Sequence, residues 1–176
     1  ALYLAAAGIG MLVLVDGAHA KMSPETLRKV IARVGSGGVH GVQRGAVSIT
    51  NATENGTVYS AQQMRALAEV SKSYNLPVHM DGARFTNALV RAGCTPAEMT
   101  WKAGVDVLSF GGTKNGCMGV EAVVIFDPAK AWEFELRRKR GGHLFSKHRY
   151  LSAQMDAYLT DGLWLRLARA ANDQAQ

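Results

Sequence analysis

Apolar and polar positions along this chain switch repeatedly between a strand period and a helix period. Short apolar runs at Met11 to Val15, Ala46 to Thr50, Pro77 to Asp81, Asp106 to Phe110 and Val120 to Phe126 read as buried strands. Between them the period is helical. Ser23-Pro-Glu25 supplies an N-cap, a proline at the first helical position and an acid in the first turn, and Leu27, Val30, Ile31 and Val34 follow as one apolar stripe. Ser60-Ala-Gln-Gln63 is a capping box ahead of Met64, Leu67, Ala68 and Ser71, and Thr95-Pro-Ala-Glu98 caps another helix. A short helix is expected between Asp81 and Gly93, and helix propensity resumes at Ala129. From Tyr150 to Ala170 the residues Leu151, Met155, Leu159, Leu163 and Leu167 form one amphipathic pattern. Gly35 to Gly38, Asn75 and Asp127-Pro128 punctuate these elements. This alternation predicts an α/β fold, a mainly parallel sheet with helices on both faces.

Two of the strands end in chemistry. The run Asp106 to Phe110 breaks at Gly111-Gly112, where the backbone can turn sharply, and Lys114 lies in the glycine-rich loop just beyond. The run Leu76 to Asp81 ends in an acid, and Gly-Ala-Arg84 follows as the chain enters a helix. In an open α/β sheet ligands bind at the carboxyl ends of the strands, so Asp81 and Lys114 are expected at the same edge. Alone, each has an ordinary reading: Lys114 as a solvated loop residue, Asp81 as a helix N-cap. Together they suit pyridoxal phosphate, a cofactor held by a lysine Schiff base and paired with an acid at its ring nitrogen.

Four segments, in this order along the chain, resemble the threonine aldolase branch of the β-eliminating lyase superfamily, fold type I pyridoxal-phosphate enzymes. They are Ser48 to Tyr59 (SITNATENGTVY), His79 to Ala88 (HMDGARFTNA), Ser109 to Gly116 (SFGGTKNG) and Arg138 to His143 (RKRGGH). The resemblance implies that Lys114 holds pyridoxal 5'-phosphate, that Asp81 keeps its pyridinium protonated, and that Arg84 hydrogen-bonds its phenolic oxygen. Thr113 is the neighbouring candidate for the phosphate. His40 is similar to a family histidine near the substrate β-hydroxyl, where an imidazole can act as a base, and Lys139 to a basic residue near the substrate; each also reads as an ordinary surface residue. The implied reaction is retro-aldol cleavage of a β-hydroxy-α-amino acid, threonine or allo-threonine, to glycine and an aldehyde. Alternatives are another pyridoxal-phosphate amino-acid lyase, a hydroxymethyltransferase, or a non-catalytic interaction domain on the same scaffold.

Composition bounds the rest. With 176 residues the chain can bury one sizeable core. Its formal charge of +6 is dispersed except at Arg137 to Arg140, with no aromatic-interleaved basic groove, which argues against nucleic acid. Cys94 and Cys117 show neither a disulfide framework nor metal spacing, so no metal is expected and a reducing, cytoplasmic setting is the default. Ala1 to Val15 is almost wholly apolar, yet it is short, glycine-broken and without a preceding basic segment, so neither a signal peptide nor a membrane span is the preferred reading. The expected organisation is a partial cofactor-binding large domain over 1–176, with a segment before it and the family's small C-terminal domain after it. By resemblance the enzyme is a homo-oligomer, dimer or tetramer, acting on a small amino-acid substrate.

Overall fold

The computed structural model describes residues 11–35 and 37–175. Its frame is a four-stranded sheet of β1 (Val47–Thr50), β2 (Val78–Gly82), β3 (Val107–Gly111) and β4 (Glu121–Ile125), paired in that order. β1, β2 and β3 run parallel, and β4 returns antiparallel to β3. The antiparallel return follows from the short connection between Gly111 and Glu121, which is too brief for the helical crossover that a parallel partner requires.

The helices are α1 (Pro24–Arg33), α2 (Ala61–Ser73), α3 (Phe85–Ala92), the single turn α4 (Pro96–Met99), α5 (Ala131–Arg140), α6 (Arg149–Leu159) and α7 (Leu163–Gln174). The starts of α1, α2 and α4 carry reciprocal capping boxes at Ser23, Ser60 and Thr95. Each box satisfies backbone donors that the first turn leaves open, which is why these starts stand where the sequence pattern puts them. The α3 helix ends at Gly93 in the left-handed region, and α2 is followed by Asn75 at φ 56°.

Strand periodicity divides the sheet into two unlike faces. Val47, Ile49, Val78, Met80, Leu108 and Phe110 are buried and join one core with Leu27 and Ile31 of α1, Met64 and Leu67 of α2, and Phe85 and Leu89 of α3. The alternate positions Ser48, Thr50, His79, Asp81, Val107 and Ser109 are half-buried. On that second face His79 spans three strands: its Nδ1 hydrogen-bonds Ser48 Oγ at 2.8 Å and its Nε2 Ser109 Oγ at 2.9 Å. Burial pulls the His79 imidazole below its ordinary value, with the charge of Asp81 pulling it back in part.

Two expectations are corrected. Residues 11–15 form no strand: Met11, Leu12 and Leu14 are exposed, and only Val15 packs against the core. An apolar run becomes a strand when a neighbour supplies a ladder, and none among the described residues does. The amphipathic stretch from Tyr150 to Ala170 is two helices, because Asp161 (φ 50°) and Gly162 (φ 68°) take left-handed conformations and turn the chain between α6 and α7. Ala1 to Gly10 of the expected apolar start lie outside the described residues. No helix among the described residues is long and apolar enough to cross a membrane.

Candidate active site

The parallel register sets the two arms of the site side by side. Asp81 pairs with Ser109 and Gly82 with Phe110, so β2 and β3 finish at the same edge, one in Asp81 and the other in the turn Thr113–Asn115 that carries Lys114. The backbones meet there. A Cβ added at Gly111 would lie 2.6 Å from the Ala83 oxygen and 2.8 Å from its Cα, a clash with backbone that no side chain can relieve. Gly116 closes the lysine turn at φ 113°, a conformation that side-chain-bearing residues rarely adopt.

Asp81 faces the half-buried side of the sheet. Its Oδ1 accepts from the Ala83 amide at 3.1 Å, which shapes the turn into α3, and its other oxygen remains available to a further donor. Its backbone carbonyl accepts from Asn51 N at 3.0 Å, tying β2 to the loop that follows β1. That loop is held by its own hydrogen bonds. Asn51 is fully buried, its side chain bonded to Tyr59 N and O, while Thr53 and Thr57 share a hydroxyl bond of 2.7 Å and close a turn through Gly56.

The loop presents Glu54, a residue that sequence reasoning did not single out. Arg84 donates to it in a fork, Nη1 to Oε1 at 3.0 Å and Nη2 to Oε2 at 3.2 Å. The Arg84 hydrogen bond, then the Arg84 charge, and to a smaller degree the charge of Lys114 hold the Glu54 carboxyl below its usual range. Three separate segments therefore meet at one edge: the loop after β1, the turn after β2 and the turn after β3. The signal in the sequence was an acid in a turn that follows a parallel strand, within one of the quoted motifs.

The remaining candidates are placed as follows. Thr113 is already engaged, its amide donating to Glu121 Oε1 at 3.2 Å and its hydroxyl to Val120 O at 3.4 Å. Cys117 is a free thiol that burial, then the nearby Glu121 charge, pushes up and away from thiolate reactivity. His40 stands in the exposed turn Gly38–His40 ahead of β1. The loop after it is anchored by Arg44, whose Nε donates to Val34 O at 2.6 Å and whose guanidinium lies 5.3 Å from the Tyr74 ring, where β2 is about to begin. Lys139 is exposed near the end of α5, beside Arg137 and Arg138, which pair with Glu133 and Glu135. Neither His40 nor Lys139 joins the cluster of Glu54, Asp81, Arg84 and Lys114.

Comparison with known proteins converges on one family. The chain is 47% identical over 156 residues to a low specificity L-threonine aldolase of Pseudomonas sp., covering 89% of this chain and 44% of the relative. It is 43% identical over 161 residues to the low specificity L-threonine aldolase of Pseudomonas aeruginosa, covering 92% and 46%. The chain thus spans about half the length of the curated relatives it matches. Among solved structures, a Leishmania major threonine aldolase superposes with a TM-score of 0.82 at 26% identity, covering 94% of this chain and 48% of that one. A putative L-allo-threonine aldolase from Listeria monocytogenes, at 14% identity and a TM-score of 0.64 over 88% of this chain and 41% of that one, shares the fold. The profile of the beta-eliminating lyase family matches residues 3–176, nearly the whole sequence, and the chain belongs to that family.

Proposed function

We propose that the intact protein is a pyridoxal-phosphate-dependent aldehyde-lyase that cleaves threonine or allo-threonine to glycine and acetaldehyde. The observation that carries this reading is the meeting of Arg84, Glu54 and Lys114 at the strand edge that also holds Asp81. The names of the relatives support the substrate class.

The residues fit the cofactor by their chemistry. Asp81 offers an acceptor at the base of the site, Lys114 an amine at its mouth, and Arg84 keeps guanidinium N–H groups beyond the two that Glu54 takes. When bound, pyridoxal phosphate supplies a conjugated sink for the electron pair released as the Cα–Cβ bond of the amino acid breaks. Lys114 would hold the cofactor through its amine. Asp81 would keep a proton at the ring nitrogen, so that the ring could accept charge. Arg84, held by Glu54, would direct its remaining N–H groups toward the phenolic oxygen. Thr113 is proposed for the phosphate from its place beside Lys114, and its hydroxyl would have to leave the Val120 carbonyl to donate there.

His40 and Lys139 are proposed as substrate contacts by resemblance alone. Exchange of each for Ala, with kcat and KM followed separately, decides whether they act. Residues 1–176 are proposed as part of the large cofactor-binding domain, with the family's small C-terminal domain outside them. A homo-oligomer in the reducing cytoplasm is the proposed setting, consistent with the free thiols of Cys94 and Cys117.

The test is borohydride reduction of the full-length protein with pyridoxal phosphate, followed by peptide mapping and by an acetaldehyde assay on threonine isomers. Label on Lys114 with acetaldehyde release is the expected result. Label elsewhere removes the lysine assignment, and label on Lys114 with a different product moves the protein to another pyridoxal-phosphate lyase reaction.

A further inference from the structure

Beneath the lysine turn lies a buried polar junction whose members come from four places in the chain. Tyr158 of α6 is 2% exposed, Thr86 of α3 is 1% exposed and Asn115 is 9% exposed. Asn115 Nδ2 donates to Tyr158 Oη at 2.5 Å and to the Trp164 carbonyl of α7 at 2.9 Å. Tyr158 Oη is also hydrogen-bonded to Thr86 Oγ1 at 3.3 Å, either hydroxyl serving as donor. Around this junction Phe110 of β3 meets the rings of Phe85 at 5.9 Å and Trp164 at 5.8 Å edge-on, and that of Tyr158 at 6.1 Å in a tilted contact. The hydroxyl therefore sits where apolar packing fixes its position and water does not compete for its partners.

The sequence neighbours of those partners give the junction its meaning. Asn115 directly follows Lys114, and Thr86 lies two residues beyond Arg84. Both arms of the site are thus tied, one and two residues beyond their working side chains, to a single oxygen. Helix α7 reinforces both ties. Asn172 of α7 exchanges hydrogen bonds with Asn87 of α3, its Oδ1 accepting from Asn87 Nδ2 at 3.1 Å and its Nδ2 donating to the Asn87 carbonyl at 3.0 Å. A Cβ added at Gly116 would lie 3.0 Å from Leu167 Cδ1, so α7 also presses on the far end of the lysine turn.

We propose that Tyr158 is a positioning residue whose hydroxyl sets the separation between the Lys114 arm and the Arg84 arm of the site. The proposal rests on the cofactor reading for its functional consequence and on the junction itself for its structural one. Removing the hydroxyl leaves Asn115 and Thr86 each with an unpaired buried polar group, while the ring keeps its aromatic contacts. The turn carrying Lys114 and the start of α3 then lose their common reference, and the near-attack geometry that depends on both degrades.

The experiment compares the full-length protein with its Tyr158→Phe variant by hydrogen exchange, cofactor titration and steady-state kinetics. Amide exchange is expected to rise at residues 112–116 and 84–88 and to hold constant in β1, which shares the core without touching the junction. The dissociation constant for pyridoxal phosphate is expected to rise roughly 10-fold and kcat on threonine to fall by a similar factor, with KM for threonine nearly unchanged, the scale of one buried hydrogen bond. Unchanged exchange at both segments overturns the proposal, whatever the melting temperature does. Raised exchange with normal cofactor affinity and normal kcat also overturns it, since the junction would then be structural alone. A wild-type protein that takes up no pyridoxal phosphate defeats the functional reading separately, and the exchange data still judge the strut. If Tyr158→Phe does not fold, Thr86→Val cuts only the α3 tie, and raised exchange confined to 84–88 with a smaller loss of cofactor affinity is the expected result; no change at 84–88 overturns the proposal.

Discussion

Asp81, near the end of β2, and Asp106, just ahead of β3, are carboxylates at opposite edges of the sheet, and their hydrogen bonds differ accordingly. Asp106, just ahead of β3, turns its Oδ2 to the Val78 amide at 2.8 Å and closes the edge where β2 and β3 begin. Asp81, at the other end of β2, accepts at Oδ1 from the Ala83 amide of its own turn, and its second oxygen is the acceptor proposed for the cofactor. The same contrast runs through their surroundings. The Asp106 edge is spanned by backbone ties such as Asp106 N to the Val78 carbonyl and Phe126 N to the Asp106 carbonyl, whereas the Asp81 edge gathers Glu54, Arg84 and Lys114. Parallel strands bring all their carboxyl ends to one side, and consecutive loops there are short enough to meet. A carboxylate's role in such a fold is set by which end of the strand it caps.

The sharpest break of this comparison is at Lys114. Lys114→Ala in the full-length protein is expected to abolish borohydride-fixed cofactor and to lower turnover by roughly 10³-fold or more, because no other side chain supplies an amine at that position. Peptide mapping checks the first outcome and aldehyde release the second.

The paired exchange of the two acids tests the contrast directly. Asp81→Asn is expected to bind cofactor yet lose roughly 10²-fold in kcat, about 2.7 kcal/mol of transition-state stabilisation, since a neutral amide does not hold the ring proton. Asp106→Ala is expected to leave kcat nearly intact and to cost about 1–3 kcal/mol of stability by stranding the Val78 amide. Denaturant unfolding and steady-state kinetics on both variants give the crossed pattern, and equal effects on both would erase the distinction between the edges.

Much of this was legible beforehand, and the parts that were not share a cause. The capping boxes at Ser23, Ser60 and Thr95 are local chemistry, complete within four residues, and they mark helix starts without tertiary information. Asp81 and Lys114 were legible as a pair because strand direction and loop position follow from the alternation of elements. Glu54 was not, because its significance lies in a fork with Arg84, thirty positions away in sequence. The break at Asp161 was hidden for a different reason: the apolar spacing of α6 and α7 stays in phase across it, so only the left-handed backbone at Asp161 and Gly162 reveals the elbow. Residues 11–15 mislead in the other direction, since an apolar run states a preference for burial and says nothing about which neighbour provides it.

A gentler probe uses the polar face between the two edges. His79 is held below its ordinary value of 6.5, chiefly by burial, so the unfolded chain binds a proton at a pH where the folded one does not. Its contribution to stability is full above the unfolded value and is lost as pH falls through the folded one. Glu25, Glu54 and Glu98 are all held below 4.5, so acid loss through them comes at lower pH, and the window just below 6.5 reports mainly on His79 among the residues with shifted values. The denaturant midpoint is expected to decline from pH 7 to pH 5 in the wild type and to decline less in His79→Gln. An equal decline in both would remove His79 as the titrating group.

The smallest expected effect comes from a second arginine–glutamate pair, and it completes the comparison. Arg137 and Glu133 lie one turn apart on α5, joined at 2.7 Å with both side chains about half exposed. The pair at the site edge, Arg84 and Glu54, is also wet on its acid side, yet it joins two loops that the fold has separately fixed. On α5 the pair adds only a local helix contact, worth about 0.3–0.5 kcal/mol and reduced further by salt. Arg137→Ala is therefore expected to shift stability by no more than about 0.5 kcal/mol and to leave cofactor affinity unchanged. Glu54→Gln is expected to match it in stability, because an exposed carboxylate contributes little there, but to weaken cofactor binding severalfold by releasing Arg84 from its fork. Thermal melts and cofactor titrations on the two variants separate these outcomes, and equal cofactor affinity in both would show that Glu54 is as incidental to the site as Glu133.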